Sequence, residues 1–429
     1  MSHIPPGWVE TKLGELGHYI NGRGFKSTEW SETGRPIIRI QNLTGSSRNT
    51  NYFDGEVEAR YIVEPGDLLI SWSATLGAYF WAGPQAVLNQ HIFRVESHIN
   101  KRFHKYLVDH VLNDLRAKTH GSGMVHITRE PFDEHPVLLP PLAEQERIVA
   151  AIEEQLSRVD AGVSALESAL ARTEALTKAV LIAALPESTP ANWIMSTVGE
   201  AGEVILGRQR SPKFHVGPNM RPYLRVANVF EDRIDSSDVM TMQFSESEFA
   251  RYLLQPGDIL LNEGQSPYLL GRPAMYHGDP PNVAFTNSLL RFRANEGVLP
   301  SWALVVFRRH LHARRFMVES QITTNIAHLS AGRFKAIEFP IPPMDEQEQI
   351  IDSVHEQLSL IKLQRSTVQR SLSLARNLRS SILATAVSGK LVPQDPDDKP
   401  ASLELERIAA ERAASNGHRS KARRAKVTT

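Results

Sequence analysis

The sequence predicts an α+β protein built as a tandem: two homologous mixed α/β domains, each followed by a long helix, with the two helices packed on each other. Three observations lead there. The chain repeats its own motifs in the same order. Each copy ends in a long Pro-free stretch with an apolar heptad stripe. The stretch before it mixes short apolar runs with Pro, Gly, Asn and Ser, the pattern of strands joined by turns.

The repeat is clearest in Pro140-Pro-Leu-Ala-Glu-Gln145, which returns as Pro342-Pro-Met-Asp-Glu-Gln347 at an offset of 202 residues. His126-Ile127-Thr128 faces His328-Leu329-Ser330 at the same offset. Upstream, Gly7-Trp8 resembles Asn192-Trp193, Gly22-Arg23 recurs as Gly207-Arg208, and Pro65-Gly66-Asp67 recurs as Pro256-Gly257-Asp258. Chance similarity of turns would not preserve that order.

In chain order, residues 1–138 form the first domain, with strands over 37–40 and 67–71 and a helix over 101–118. Residues 139–188 hold the first long helix. Ile152, Leu156, Val159, Val163, Leu166 and Leu170 recur in steps of four and three, and Leu185-Pro186 ends it. Residues 189–340 repeat the domain, with strands over 223–226 and 258–261 and a helix over 301–318. Residues 341–390 hold the second long helix; Val354, Leu358, Ile361, Val368 and Leu372 carry its stripe, Arg365 and Arg379 interrupt it, and Gly389 suits its C-terminal cap. A narrow apolar stripe needs a partner in water, so the helices are expected to pair. Residues 391–429 form a partly disordered tail, beginning with a Pro-flanked polar linker at 394–400 and ending in Arg419, Lys421, Arg423, Arg424 and Lys426.

Composition narrows the function. The 48 basic and 48 acidic side chains give zero net charge, which argues against nucleic-acid binding by bulk attraction and leaves local patches open. Cysteine is absent, so thiolate chemistry and disulfides are excluded; this and the lack of a secretory signal suit a cytoplasmic protein. No phosphate-binding glycine loop occurs, and Gly22-Arg23-Gly24 lacks the third glycine of a dinucleotide site. Asp279-Pro280-Pro281-Asn282 lacks the aromatic that an amino-methyltransferase loop stacks on a flipped base. Asp397-Asp398-Lys399 lies in the expected linker, and His310 and His312 are two apart, so neither suggests a metal centre. No catalytic constellation is evident.

Binding candidates are plentiful. Arg308, Arg309, His310, His312, Arg314 and Arg315, and in the first half Lys101, Arg102, His104 and Lys105, suit phosphate contacts. Base reading needs paired donors and acceptors: Arg for guanine, Asn or Gln for adenine. The first domain offers Arg23, Lys26, Gln41, Asn42, Asn89, Gln90 and His91. The second offers Arg208, Arg210, Asn228, Asn262, Gln265, Arg272 and Asn287.

The doubled Pro-Pro-x-x-Glu-Gln opening a long helix, the Pro-Gly-Asp turns, Arg39-Ile-Gln-Asn-Leu43 and the tail Gly389-Lys-Leu-Val-Pro-Gln-Asp395 together resemble the specificity (S) subunit of type I restriction-modification systems. That resemblance covers nearly the whole chain. It implies two target recognition domains separated by two helices in an antiparallel coiled coil, with no catalytic or metal site of their own. Each domain would read one half of an asymmetric bipartite target in double-stranded DNA, with half-sites about one helical turn (~34 Å) apart. The helices would set the spacing and hold two adenine-methylating (M) subunits, and restriction/translocase (R) subunits would join them. S-adenosylmethionine, ATP and Mg would belong to those partners, in a prokaryotic cytoplasm with no membrane role. Pro140, Pro141, Glu144, Gln145, Pro342, Pro343, Glu346 and Gln347 are then the candidate partner-binding residues. Two alternatives stay open at this point: a related system with a fused methylase-nuclease partner, and a coiled-coil interaction protein without a DNA role.

Overall fold

The structure is a computed structural model describing residues 4–46, 49–118, 128–186, 188–323 and 326–425, so His126, Ile127 and Lys426 lie outside the described residues. The chain divides into two units: residues 1–165 with 371–429, and residues 166–370. Each long helix therefore contributes one part to each unit.

In the first unit, Val9–Lys12 pairs antiparallel with Pro136–Leu139, closing the domain beside the start of the first long helix. An antiparallel four-stranded sheet runs in the order Gly17–Asn21, Ile92–Ser97, Leu68–Ser71, Gly77–Phe80. A second runs Tyr52–Phe53, Arg35–Ile38, Ala86–Leu88, Ile62–Val63, with a parallel pair at its centre. The helix Lys101–Lys118 packs Phe103, Leu107 and Val111 into the core with Phe93, Val95 and Phe132.

The second unit repeats this plan. Ile194–Thr197 pairs with Glu338–Ile341, and the four-stranded sheet runs Gly202–Leu206, Leu289–Ala294, Ile259–Asn262, Pro273–Met275. The expected helix over 301–318 is shorter: it runs Pro300–His312, Arg314 takes a left-handed conformation (φ 59°), and a separate turn covers Arg315–Val318. Trp302, Val306 and Phe307 bury its apolar face against Phe292 and Phe339.

The Pro-Gly-Asp turns have the same cause in both domains. Gly66 and Gly257 have φ of 84° and 94°, a region costly for any residue with a Cβ. The aspartates cap their own turns, Asp67 Oδ2 accepting from the Glu64 amide and Asp258 Oδ2 from the Gln255 amide. Asp258 also takes two bonds from Arg293 at 2.6 and 2.7 Å.

The long helices run Leu142–Ala183 and Met344–Val387. In the first unit, Ile148, Ile152 and Leu156 near the start of one share a core with Ile382, Leu383 and Ala386 near the end of the other. In the second unit, Val180 and Leu181 meet Ile350, Ile351 and Val354. Start meets end at both places, so the helices are antiparallel. The two arginines that interrupt the stripe pair across it, Arg379 with Asp160 and Arg365 with Glu174 at 3.5 Å. Gly389 (φ 71°) ends the second helix against Pro5 and Trp8. Among the described residues no helix is long and apolar enough to cross a membrane.

Among the described residues, each unit buries one histidine. His104 lies between Tyr19 Oη (2.7 Å) and Ser97 Oγ (2.8 Å), and burial pushes it down to about 3. Burial pushes His310 down to about 4. The unfolded chain binds these protons near 6.5 and the folded chain does not, so stability is lost as pH falls below 6.5. Each histidine contributes about 1.4 kcal/mol of loss per pH unit over that window. Thermal melts should therefore fall from pH 7.5 to 5.5, and His104→Gln should melt with a shallower pH dependence than the parent. An equal dependence would show that His104 does not carry the effect.

Candidate DNA-recognition surface

The repeated Pro-Pro-x-x-Glu-Gln motif fastens each domain to the start of its own helix. Gln145 Nε2 donates to the Pro140 carbonyl (3.0 Å), and Gln145 Oε1 accepts from the Asn100 amide (3.0 Å), one residue before the domain's helix. Gln347 repeats the pattern with the Pro342 carbonyl (3.0 Å) and the Leu299 amide (2.9 Å). Trp8 Nε1 donates to Glu144 (2.9 Å), and Trp193 Nε1 donates to Glu346 (2.7 Å). Burial pushes the Glu144 carboxyl up, while the bonds from Trp8 and Gln394 hold it down.

These contacts correct the partner-binding expectation. Glu144, Gln145 and Gln347 are no more than 1% exposed. Pro140, Pro141 and Pro342 are buried, and Glu346 is half-buried. Of the eight, only Pro343 is exposed. The motif's partners lie within its own chain.

The tail also differs from expectation. The polar stretch 394–400 is not a free linker: Gln394 donates to Glu144 (3.2 Å), and Asp398 receives Arg147 at 2.6 Å. A helix, Ala401–Ala425, follows. Its Ala401 and Ile408 enter the first unit's core, and Glu404 accepts from Gln145 (2.9 Å).

The basic clusters are engaged internally. Arg308 bonds Glu231 (2.9 Å) and Asp232 (3.2 Å), His312 bonds Glu231, and Arg315 bonds Glu319 and Glu338. Arg309 is half-buried in a cavity beside Leu185 and Trp193. In the first half Lys101 donates to the Gly66 carbonyl, Arg102 pairs with Glu153 and Lys105 with Asp109. Opposite charges within the chain thus compete with the phosphate role expected of these helices.

The base-reading candidates separate into two groups. Arg23 stacks on Phe25 (4.0 Å) and Phe53 (5.0 Å) and pairs with Glu29; Arg208 stacks on Phe214 (4.0 Å) and Phe244 (4.6 Å) and pairs with Glu248. The preceding glycines are forced, since a Cβ on Gly22 or Gly207 would lie 2.1 or 2.2 Å from a carbonyl oxygen. Asn42 and Asn228 cap local turns through the Arg39 and Arg225 amides, both at 3.0 Å. Asn262 is fully buried, and Arg272 donates to the Val229 carbonyl (2.6 Å). Apart from Asn262, whose two buried side-chain polar atoms have no hydrogen-bond partner among the described residues, side chains held this way build the domains.

The second group faces outward. Gln41, Asn89, Gln90 and His91 line one open cleft of about 490 Å³ in the first domain. Sequence reasoning missed the other polar residues of that cleft, Arg39, Thr44, Ser46 and Thr75, because nothing in the local pattern brings them together. Lys26 and Arg210 are exposed, Arg210 lying over Tyr223; Asn287 and Gln265 are half-exposed.

Two homologous domains with a shared skeleton and different outward side chains, each locked to paired helices, define a tandem recognition scaffold. The chain belongs to the type I restriction-modification DNA specificity family, whose model matches residues 5–170 and 190–370, one match per half. It is 24% identical to the specificity subunit of the Escherichia coli type I restriction enzyme EcoBI, covering 96% of this chain and 94% of that one. It is 25% identical to the EcoKI specificity subunit of E. coli strain K12, covering 96% and 97%. Among solved structures, a chain from work on complex assembly and conformational transition of the type I R-M system matches with TM-score 0.70, 18% identity and coverage of 90% and 99%. The HsdS subunit from Thermoanaerobacter tengcongensis matches with TM-score 0.52 and 20% identity, covering 90% and 98%.

Proposed function

We propose that this specificity subunit reads an asymmetric bipartite DNA target, one half with each domain, and has no catalytic activity of its own. The long helices set the distance between the half-sites and hold two M subunits; R subunits join the complex in the cytoplasm. S-adenosylmethionine, ATP and Mg enter with those partners.

One observation carries this reading: the domains share their frame and differ where they face outward. The arginine on two phenylalanines, the Pro-Gly-Asp turn and the Glu-Gln lock occur in both. At the outward positions Gln41, Asn89 and Gln90 are matched by Ala227, Thr286 and Asn287. A common frame with unlike surfaces suits two unlike half-sites. For M-subunit docking, the second long helix leaves Leu360 and Leu363 61% and 65% exposed in the second unit, and Leu374 and Leu378 61% and 50% exposed in the first. Exposed leucines on a folded protein favour a partner surface.

The test incubates DNA and labelled S-adenosylmethionine with the purified chain, with its M subunit, and with both. Methylation at a two-part sequence only when both are present is expected. Methyl transfer by the chain alone, or methylation by the pair without a two-part sequence, would overturn the reading.

A further inference from the structure

Resting on that reading, we propose that the first domain recognises its half-site through the cleft holding Gln41, Asn89 and Gln90, and that these amides read adenine edges in the major groove. Of this set the second domain keeps a single amide, Asn287 opposite Gln90, and reads its half-site by different chemistry.

Three features of the cleft carry the proposal. Gln41 and Gln90 are exposed, Asn89 is half-exposed, and no side-chain amide of the three takes a hydrogen bond among the described residues. Elsewhere in the domain the polar side chains of Arg23 and Asn42 are bound to the frame, so this free set stands apart. An amide presents a donor and an acceptor side by side, which matches N6 and N7 of adenine.

The cleft is also built by unusual backbone. Ala74 (φ 58°) and His91 (φ 72°), two of five non-glycine residues with positive φ among the described residues, both line it. Such conformations are unfavourable for residues with a Cβ and persist where the surrounding structure imposes them. Here they turn the loops at 73–75 and 89–91 around an opening rather than across it. The ring of His91 stands edge-on to Trp72 at 5.0 Å, which holds that wall in place.

In the second domain the same place is built differently. The bridge between Arg23 and Asn89 corresponds to that between Arg208 and Thr286. Thr286 Oγ1 donates to the Leu224 carbonyl (3.2 Å), and Ser288 Oγ accepts from the Val226 amide (3.1 Å). Ala227 stands where Gln41 does, with no hydrogen-bonding side chain. The hydroxyls that replace Asn89 and His91 are bound to the backbone, and of the three amides only one remains, Asn287 opposite Gln90, so the full set is confined to the first domain.

The test uses the full chain with its M subunit and maps methylated positions for the parent, Gln41→Ala, Gln90→Ala and the double variant. Neither glutamine holds the fold together, and melts matching the parent would confirm that. Discrimination at A·T pairs of one half-site should fall roughly tenfold or more in each single variant and further in the double variant. The other half-site should stay unchanged. Fully active variants with an unaltered target would overturn the proposal and leave the function reading standing, as would relaxation at G·C pairs only or in both half-sites. A parent complex that methylates no defined sequence would instead overturn the function reading and this proposal with it.

Discussion

Gln145→Ala is expected to destabilise the first unit by about 3 kcal/mol or more. The side chain is fully buried and serves three groups: the Asn100 amide, the Pro140 carbonyl and the Glu404 carboxylate. Alanine removes all three bonds. An unsatisfied buried polar group costs about 1–3 kcal/mol, and more when it is charged. Glu404 adds to this, since burial already pushes its carboxyl up. For a unit of roughly 200 residues, a loss of this size lowers the melting temperature by about 6–12 °C. Glu167→Ala, on the exposed face of the same helix, should melt like the parent. If the two variants melt alike, the Glu-Gln motif is not the lock described above.

Leu156→Asp should be worse. Leu156 is 9% exposed and belongs to the core that joins Ile152 to Ile382 and Leu383 of the other long helix. Of the cations lining the cavity beside it, Lys105 and Arg379 are already paired with Asp109 and Asp160, and replacing a core leucine by a carboxylate costs several kcal/mol, a large share of a domain's stability. The variant should melt well below the parent and fail to assemble with M subunits. Parent-like melting and assembly would show that the helices do not depend on this contact.

The architecture was legible because it is written twice. Pro140-Pro141 and Pro342-Pro343 place the starts of the long helices, and Leu185-Pro186 and Gly389 place their ends; the structure gives Leu142–Ala183 and Met344–Val387. The stripe residues Ile152, Leu156, Val354 and Val368 are all buried. Arg365 and Arg379 looked like flaws because a stripe is read on one helix, while their acids, Glu174 and Asp160, sit on the other.

The site was less legible, and the reason is sequence distance. Gln145 meets Asn100, Glu144 meets Trp8, and Asp398 meets Arg147, over separations of 45, 136 and 251 residues. No local pattern reports such contacts, so a structural lock read as a partner surface and a docked tail read as a linker. Arg23 and Arg208 misled differently. Their chemistry suits guanine, but in both domains two phenylalanines and a glutamate hold them. Composition names a side chain's capabilities; only packing shows which one is already in use.

The most direct measurement of the central claim exchanges one domain. Residues 192–339 are replaced by the corresponding domain of another family member, the chimaera is co-expressed with its M subunit, and methylated positions are mapped across a genome. Independent recognition by two domains predicts a target in which one half changes and the other keeps its bases. A target changed in both halves, or in neither, would contradict it.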